Sequence, residues 1–230
     1  MKTLFIIPAR KGSKGLVDKN ILELNSSPLI NYSIDFALKC KSDGDIICVS
    51  SDDSRVLKLA EKKNIKAPFK RPKNISSDNS STFDVINHAL NHYQKEGINF
   101  SSICLLQPTS PIRDLNDFYN MKKIYTDKSP DMVVSVSKSK HSPYFSMFKE
   151  NEDGFLETFF DDVNYTRRQD VPKTFNYNGS IYLFNYNSYK LKGSFNFNKI
   201  IKYVMNEEKS IDIDNFIDFK FAEFLIKNKK

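Results

Sequence analysis

Short apolar runs that stop abruptly set the layout of this chain: Leu4-Phe5-Ile6-Ile7, Ile46-Ile47-Cys48-Val49, Ile103-Cys104-Leu105-Leu106 and Met132-Val133-Val134-Ser135-Val136. Runs of this length and composition read as strands covered on both faces. Between them, apolar residues recur at helical spacing. Ile30, Ile34, Ala37 and Leu38 predict one inward face; Val56, Leu59 and Ala60 predict a second, and Phe83, Ile86 and Leu90 a third. Asp52 or Asp53 is placed to cap the second helix, and a fourth helix is expected over residues 115–125. Strand and helix in alternation predict an α/β fold, a mostly parallel sheet with helices on both faces. In such sheets ligands bind beyond the carboxyl ends of the strands.

The alternation breaks at residues 138–177, a polar, aromatic stretch punctuated by Pro143 and Pro172. It reads as an excursion from the domain, an arm for contact with another subunit. The pattern resumes with Gly179-Ser180-Ile181-Tyr182-Leu183-Phe184, a strand over 200–205 and a closing helix over 217–227. A length of 230 residues suits one domain, residues 1–230.

Composition narrows the class. The 19 Phe and 11 Tyr are ample for a core, and 35 basic against 28 acidic residues give a net charge of +7. A basic chain suits anionic partners, but its lysines are dispersed and it lacks an arginine-rich block, which argues against nucleic acid. No run approaches the ~18 apolar residues of a membrane span, and the first run is too short for a secretion signal. Cys40, Cys48 and Cys104 are odd in number and lie in apolar or helical surroundings. They are expected as free thiols in a reducing cytoplasm.

Three segments carry chemistry. The first follows the opening strand: Pro8-Ala9-Arg10-Lys11-Gly12-Ser13-Lys14-Gly15, then Lys19-Asn20. Glycines let backbone amides approach an oxyanion, and the clustered cations supply the charge that a polyphosphate needs. The second, Gln107-Pro108-Thr109-Ser110-Pro111-Ile112-Arg113, should lie on the same edge of the sheet. Gln107, Thr109, Ser110 and Arg113 can bind a polar ligand there; equally, the segment can be a proline-stiffened connection. The third is Ser210-Ile211-Asp212-Ile213-Asp214. If it is extended, both carboxylates point to one side and can hold a hard divalent cation; the alternative is a helix start capped by Asp214. Lys70-Arg71-Pro72 and residues 77–82 can reach a nucleotide or simply cap a helix. His88 and His92 have metal-binding spacing but no third ligand in sight.

Taken in order, the opening loop, the Gln107 segment, Arg168-Gln169-Asp170 with Asn178-Gly179-Ser180-Ile181-Tyr182, and residues 210–214 resemble the acylneuraminate cytidylyltransferases, or CMP-sialic acid synthetases. The likeness runs from residue 4 to about 225. It implies a Rossmann-like nucleotidyltransferase fold, Mg²⁺, a homodimer in which the excursion reaches the other subunit's site, and transfer of CMP from CTP to a nine-carbon α-keto acid sugar. It also implies site residues. Arg10, Gly12, Ser13, Lys19 and Asn20 would hold CTP, with Arg71 and Ser80 near the nucleotide. Gln107, Tyr182 and Phe195 would line the sugar pocket with Arg168 nearby, and Asp212 and Asp214 would bind the metal. Arg10, Lys19 and Asp212 would carry the catalysis. Where the sialic acid enzymes have paired aromatics, this chain has Phe195-Asn196. Relatives activate legionaminic, pseudaminic and other nonulosonic acids, so the sugar stays open. A CMP-Kdo synthetase and a non-catalytic nucleotide-binding regulator are the alternatives.

Overall fold

The computed structural model describes residues 1–12, 15–160 and 165–228. Each apolar run forms a strand of one six-stranded sheet. The strands are β1 (Thr3–Pro8), β2 (Ile46–Ser50), β3 (Ser102–Leu105), β4 (Met132–Lys138), β5 (Phe175–Asn185) and β6 (Ile200–Val204). The helices packed on it are α1 (Leu29–Cys40), α2 (Ser54–Lys62), α3 (Thr82–Lys95), α4 (Leu115–Lys128), α5 (Tyr186–Lys192) and α6 (Phe216–Lys227). Spatial order is β6-β4-β5-β3-β1-β2. The pairs β1–β2, β1–β3 and β4–β6 are parallel, whereas β5 runs antiparallel to both β3 and β4. Five strands therefore end on one edge of the sheet, and β5 starts there.

Successive strand residues face opposite sides, so the apolar runs feed two cores. Phe5, Ile7, Val49, Cys104 and Leu183 pack with α1, α2 and α4; Leu4, Ile6, Cys48, Ile103 and Phe184 pack with α3 and α5. Burying each such side chain stabilises by roughly 1.5–3 kcal/mol, which is why these runs tolerate no polar alternation. Leu38 is a correction: it stays 37% exposed, because the buried face of α1 runs through Ile30, Ile34 and Ala37. Burial also pushes the thiols of Cys40 and Cys48 up to about 12, which leaves them inert at neutral pH.

Helix ends follow local chemistry. Asp53, not Asp52, caps α2 by accepting from the Arg55 amide. Ser81 and Asp84 form a capping box at the start of α3. His88 and His92 both set their rings edge-on against Phe69. The excursion is shorter than 138–177, since β4 and β5 stay paired out to Lys138 and Phe175. It carries a small hairpin, Lys149–Glu150 with Leu156–Glu157, and exposes Phe148, Phe155 and Leu156.

Arg113 corrects a second expectation. Its guanidinium is buried in the protein and is not open to a ligand. It donates to Ser180 O at 3.1 Å, Ser33 Oγ at 2.9 Å and Gln107 O at 2.6 Å, and lies over the Phe36 ring at 5.6 Å. Among the described residues no carboxylate pairs with it, and burial pushes its pKa down to about 10. Ser110 is likewise buried, its hydroxyl donating to Asn178 O at 2.9 Å. Arg113→Met leaves Ser180 O and Ser33 Oγ without this donor in the interior, each worth about 1–3 kcal/mol when unsatisfied, and takes one of two donors from Gln107 O. Urea denaturation should show a loss of about 3 kcal/mol or more.

Candidate active site

A cleft of about 370 Å³ opens at the carboxyl edge of the sheet, between the loop after β1, the segment before α3 and the loop after β3. It is lined by Arg10, Lys19, Asn20, Arg71, Ser80, Gln107 and Asp214, seven of the residues expected there. Thr82 and Val85 add the first turn of α3, and Ile75 adds an apolar patch.

The opening loop is held by its own polar groups. Ala9 N donates to Ser50 O at 2.9 Å, and Asn20 Nδ2 donates to Arg10 O at 2.9 Å. Arg10 reaches across the cleft mouth to Asp78 at 2.5 Å and donates to Gly12 O at 3.1 Å. Gly12, at φ 73°, is exposed and is not part of the cleft lining, and Ser13 lies outside the described residues. Gly15 is required by close approach: a Cβ there would stand 2.0 Å from Asp214 O. That contact seats the opening loop directly on the acidic loop.

The acidic loop alternates inward and outward. Ile213 is fully buried in a small core with Leu24, Leu29, Phe219 and Ala222, and its amide donates to Thr109 O at 2.8 Å. Asp212 and Asp214 flank it on the exposed side. Asn215, not Asp214, caps α6 and forms a box with Asp218, so Asp214 is left available to the cleft. Lys19 is buried, donates to Ile213 O at 2.6 Å and stands 3.7 Å from Asp214 Oδ1. Close packing raises the Asp212 pKa despite its open face; the Thr109 hydroxyl opposes the shift and the Asp214 charge adds to it. Two hard oxygen donors of like charge, with no group of three acidic, imidazole or thiol ligands among the described residues, fit a cation that keeps water and phosphate oxygens in its shell.

Arg71 is the most telling side chain. It is 4% exposed, yet its Nε and Nη2 have no hydrogen-bond partner, and Asp52 Oδ1 stands 3.9 Å from Nη2. Burial pushes its pKa down, with Asp52 opposing. A buried cation with unpaired donors is costly, and this one lies on the cleft wall.

The remaining expected residues lie apart from the lining. Tyr182 is half-buried beside the acidic loop; burial, then the Asp212 charge, pushes its hydroxyl up to about 12. Phe195 packs against Phe184 at 5.5 Å and Tyr189 at 5.9 Å, in the core on that face of the sheet. Arg168 sits in the excursion, donating to Lys140 O. Ile75 and Val85 were not anticipated, because an apolar residue at helical spacing reads as core and nothing local marks it as cleft wall.

The chain's likeness to known proteins now has a site to refer to. A family profile described as Cytidylyltransferase matches residues 4–230. The chain belongs to the cytidylyltransferase family. Among curated relatives of this chain, the N-acylneuraminate cytidylyltransferase of Escherichia coli O18:K1:H7 is 35% identical over 100% of this chain and 53% of its own length. The pseudaminic acid cytidylyltransferase of Campylobacter jejuni is 31% identical, over 99% of this chain and 97% of its own. The chain thus spans about half of the first relative and nearly all of the second. A solved CMP:2-keto-3-deoxy-manno-octonic acid synthetase complexed with CTP matches 100% of both chains at a TM-score of 0.70 and 15% identity, which shows a shared fold.

Replacing Arg71 by Met tests its idle donors. An apolar chain of similar length removes an unsatisfied buried charge, so the ligand-free protein should melt at the same or a higher temperature. A clear drop in a calorimetric scan would mean that Arg71 serves stability instead.

Proposed function

We propose that this cytidylyltransferase activates a nonulosonic acid with CTP, releasing pyrophosphate and the CMP-sugar. The observation that carries this reading is the meeting of Arg10, Lys19 and Arg71 with Asp214 and Gln107 in one cleft. Three cations suit a triphosphate, and the glutamine amide suits a hydroxyl- and carboxylate-bearing sugar. The sugar's anomeric oxygen attacks the α-phosphorus of CTP in line; that bond forms as the bond to the bridging oxygen breaks and pyrophosphate leaves. Arg10 and Lys19 neutralise charge on the departing pyrophosphate. Arg71 offers its idle donors to the nucleotide, with Asn20 and Ser80 beside it. Gln107 and Tyr182 orient the sugar. The hydroxyl proton leaves on the Asp212 side, to that carboxylate or to adjacent water. Asp212 and Asp214 would hold Mg²⁺, which when bound offsets phosphate charge and lowers the pKa of the attacking hydroxyl.

Arg168 and the exposed aromatics of the excursion support a homodimer, in which the arm reaches a second subunit's cleft. Three buried free thiols support a cytoplasmic setting. No helix of the described residues is long and apolar enough to cross a membrane.

Lys19→Ala should cut turnover ~100-fold or more, the scale of a lost transition-state charge contact. A pyrophosphate-release assay with CTP, Mg²⁺ and a panel of N-acetylneuraminic, legionaminic and pseudaminic acids and Kdo reads this directly. Turnover with Kdo alone would move the assignment to a CMP-Kdo synthetase; CTP binding without turnover on any acid would indicate a regulator. Mn²⁺ titration followed by electron paramagnetic resonance supplies a pH test. Because the Asp212 pKa lies above 3.8, protonation should begin to weaken cation binding at a higher pH than for an ordinary aspartate. Asp212→Asn should bind weakly at every pH; a wild-type curve that stays flat into the acid range would reject Asp212 as a ligand.

A further inference from the structure

β5 does not run evenly past β4. A step of two along β4, Val134 to Val136, is matched by a step of five along β5, Tyr182 to Tyr177. The surplus forms a bulge around Asn178, Gly179 and Ser180, a device that re-aims side chains at a strand end. Ser135 fills it from the other strand: its Oγ accepts from Ile181 N at 2.8 Å and donates to Asn178 Oδ1 at 2.6 Å.

Asn178 is only 4% exposed and is bonded in three directions. Its Oδ1 also accepts from Ser180 N at 3.2 Å, and its carbonyl accepts from Ser110 Oγ in the loop after β3 at 2.9 Å. Its Nδ2 donates to Ser210 Oγ, at the head of the acidic loop, at 3.0 Å and to Met205 Sδ at 3.5 Å. One buried amide thus joins the sheet, the Gln107 loop and the loop that carries Asp212. Gly179 supplies the steric half. At φ 71°, a Cβ on it would fall 2.7 Å from Gln107 Oε1, 2.8 Å from Ser110 Oγ and 3.5 Å from Asp212 Oδ2. The glutamine amide and the aspartate carboxylate converge on a backbone atom with no side chain between them.

We infer that Asn178 is a positioning residue that sets Asp212 against Gln107 through Ser210, with Gly179 as the spacer between them. The inference rests on the proposed transfer reaction. Asn178 acts through Asp212, since its own polar atoms are all engaged within the protein. The bulge therefore fixes the separation between the group that orients the sugar and the carboxylate beside the reacting oxygen.

The test compares Asn178→Ala, Ser210→Ala and the double variant. Ser210 lies on the surface side of the tie, so Ser210→Ala removes that bond, and the one its hydroxyl donates to Asn206 O at 2.8 Å, without disturbing the sheet. Each single change should lower kcat/KM for the acceptor sugar, and weaken Mn²⁺ binding measured without substrates, by about 10- to 100-fold, the range seen when an outer partner of a metal ligand is lost. At saturating Mg²⁺ the CTP KM should stay unchanged, and the double variant should be no worse than the worse single, because both remove one tie. Hydrogen exchange of residues 211–214 should quicken in all three. Gly179→Ala should instead raise the acceptor KM, by displacing Gln107, and leave Mn²⁺ binding near wild type. Additive losses, or a fall in melting temperature and a rise in CTP KM with Mn²⁺ binding intact, would overturn the inference. If the wild type turns over no acid, the proposed reaction fails by itself, and Mn²⁺ binding and hydrogen exchange still decide the tie.

Discussion

Arg113 is the bond on which the cleft edge of this fold depends. A guanidinium in the interior is costly unless oxygens meet its donors. Here the oxygens belong to α1, to the Gln107 loop and to β5. Three elements distant in sequence are therefore held in one register by a residue that never meets the ligand. Arg71 is the contrasting case. It is as deeply buried, but two of its nitrogens have no partner, and it lies on the cleft wall. The difference between the two arginines is hydrogen-bond satisfaction: one guanidinium is engaged within the protein, and the other is not.

The acidic loop shows how a small apolar anchor places two charges. Ile213 is buried where α6 packs against Leu24 and Leu29, and this forces its neighbours Asp212 and Asp214 outward. Lys19 then donates to the Ile213 carbonyl and stands near Asp214, so the opening loop and the acidic loop meet without neutralising the pair. Gly15 permits the approach. Close packing, and then the neighbouring Asp214 charge, raise the Asp212 pKa, a local cost that a bound cation would relieve.

Much of the fold was legible from period alone. The apolar runs became strands and the helical faces became core, because burial on both sides of a parallel sheet leaves an unmistakable pattern. The reversal of β5 was not legible: its apolar run is the same whichever way the strand points. Leu38 misled for a related reason, since helical spacing defines a stripe but not its width. In the site, Arg10, Lys19, Asn20, Arg71, Ser80, Gln107 and Asp214 all reached one cleft. Arg113 and Ser110 looked like ligand groups and proved structural, because polarity in a loop does not reveal which way a side chain turns. Ile75 and Val85 gave no signal at all.

The chain by itself determined its alternating elements, its two cores and the residue types that a phosphate-handling cleft needs, since these follow from periodicity, charge and loop chemistry within short windows. Only the tertiary structure decided which of those residues meet. The seating of Gly15 on Asp214 and the bulge that sets Gly179 between Gln107 and Asp212 depend on contacts between segments far apart in sequence. Close packing and hydrogen-bond satisfaction at such contacts are properties of the assembled chain, and no local stretch encodes them alone.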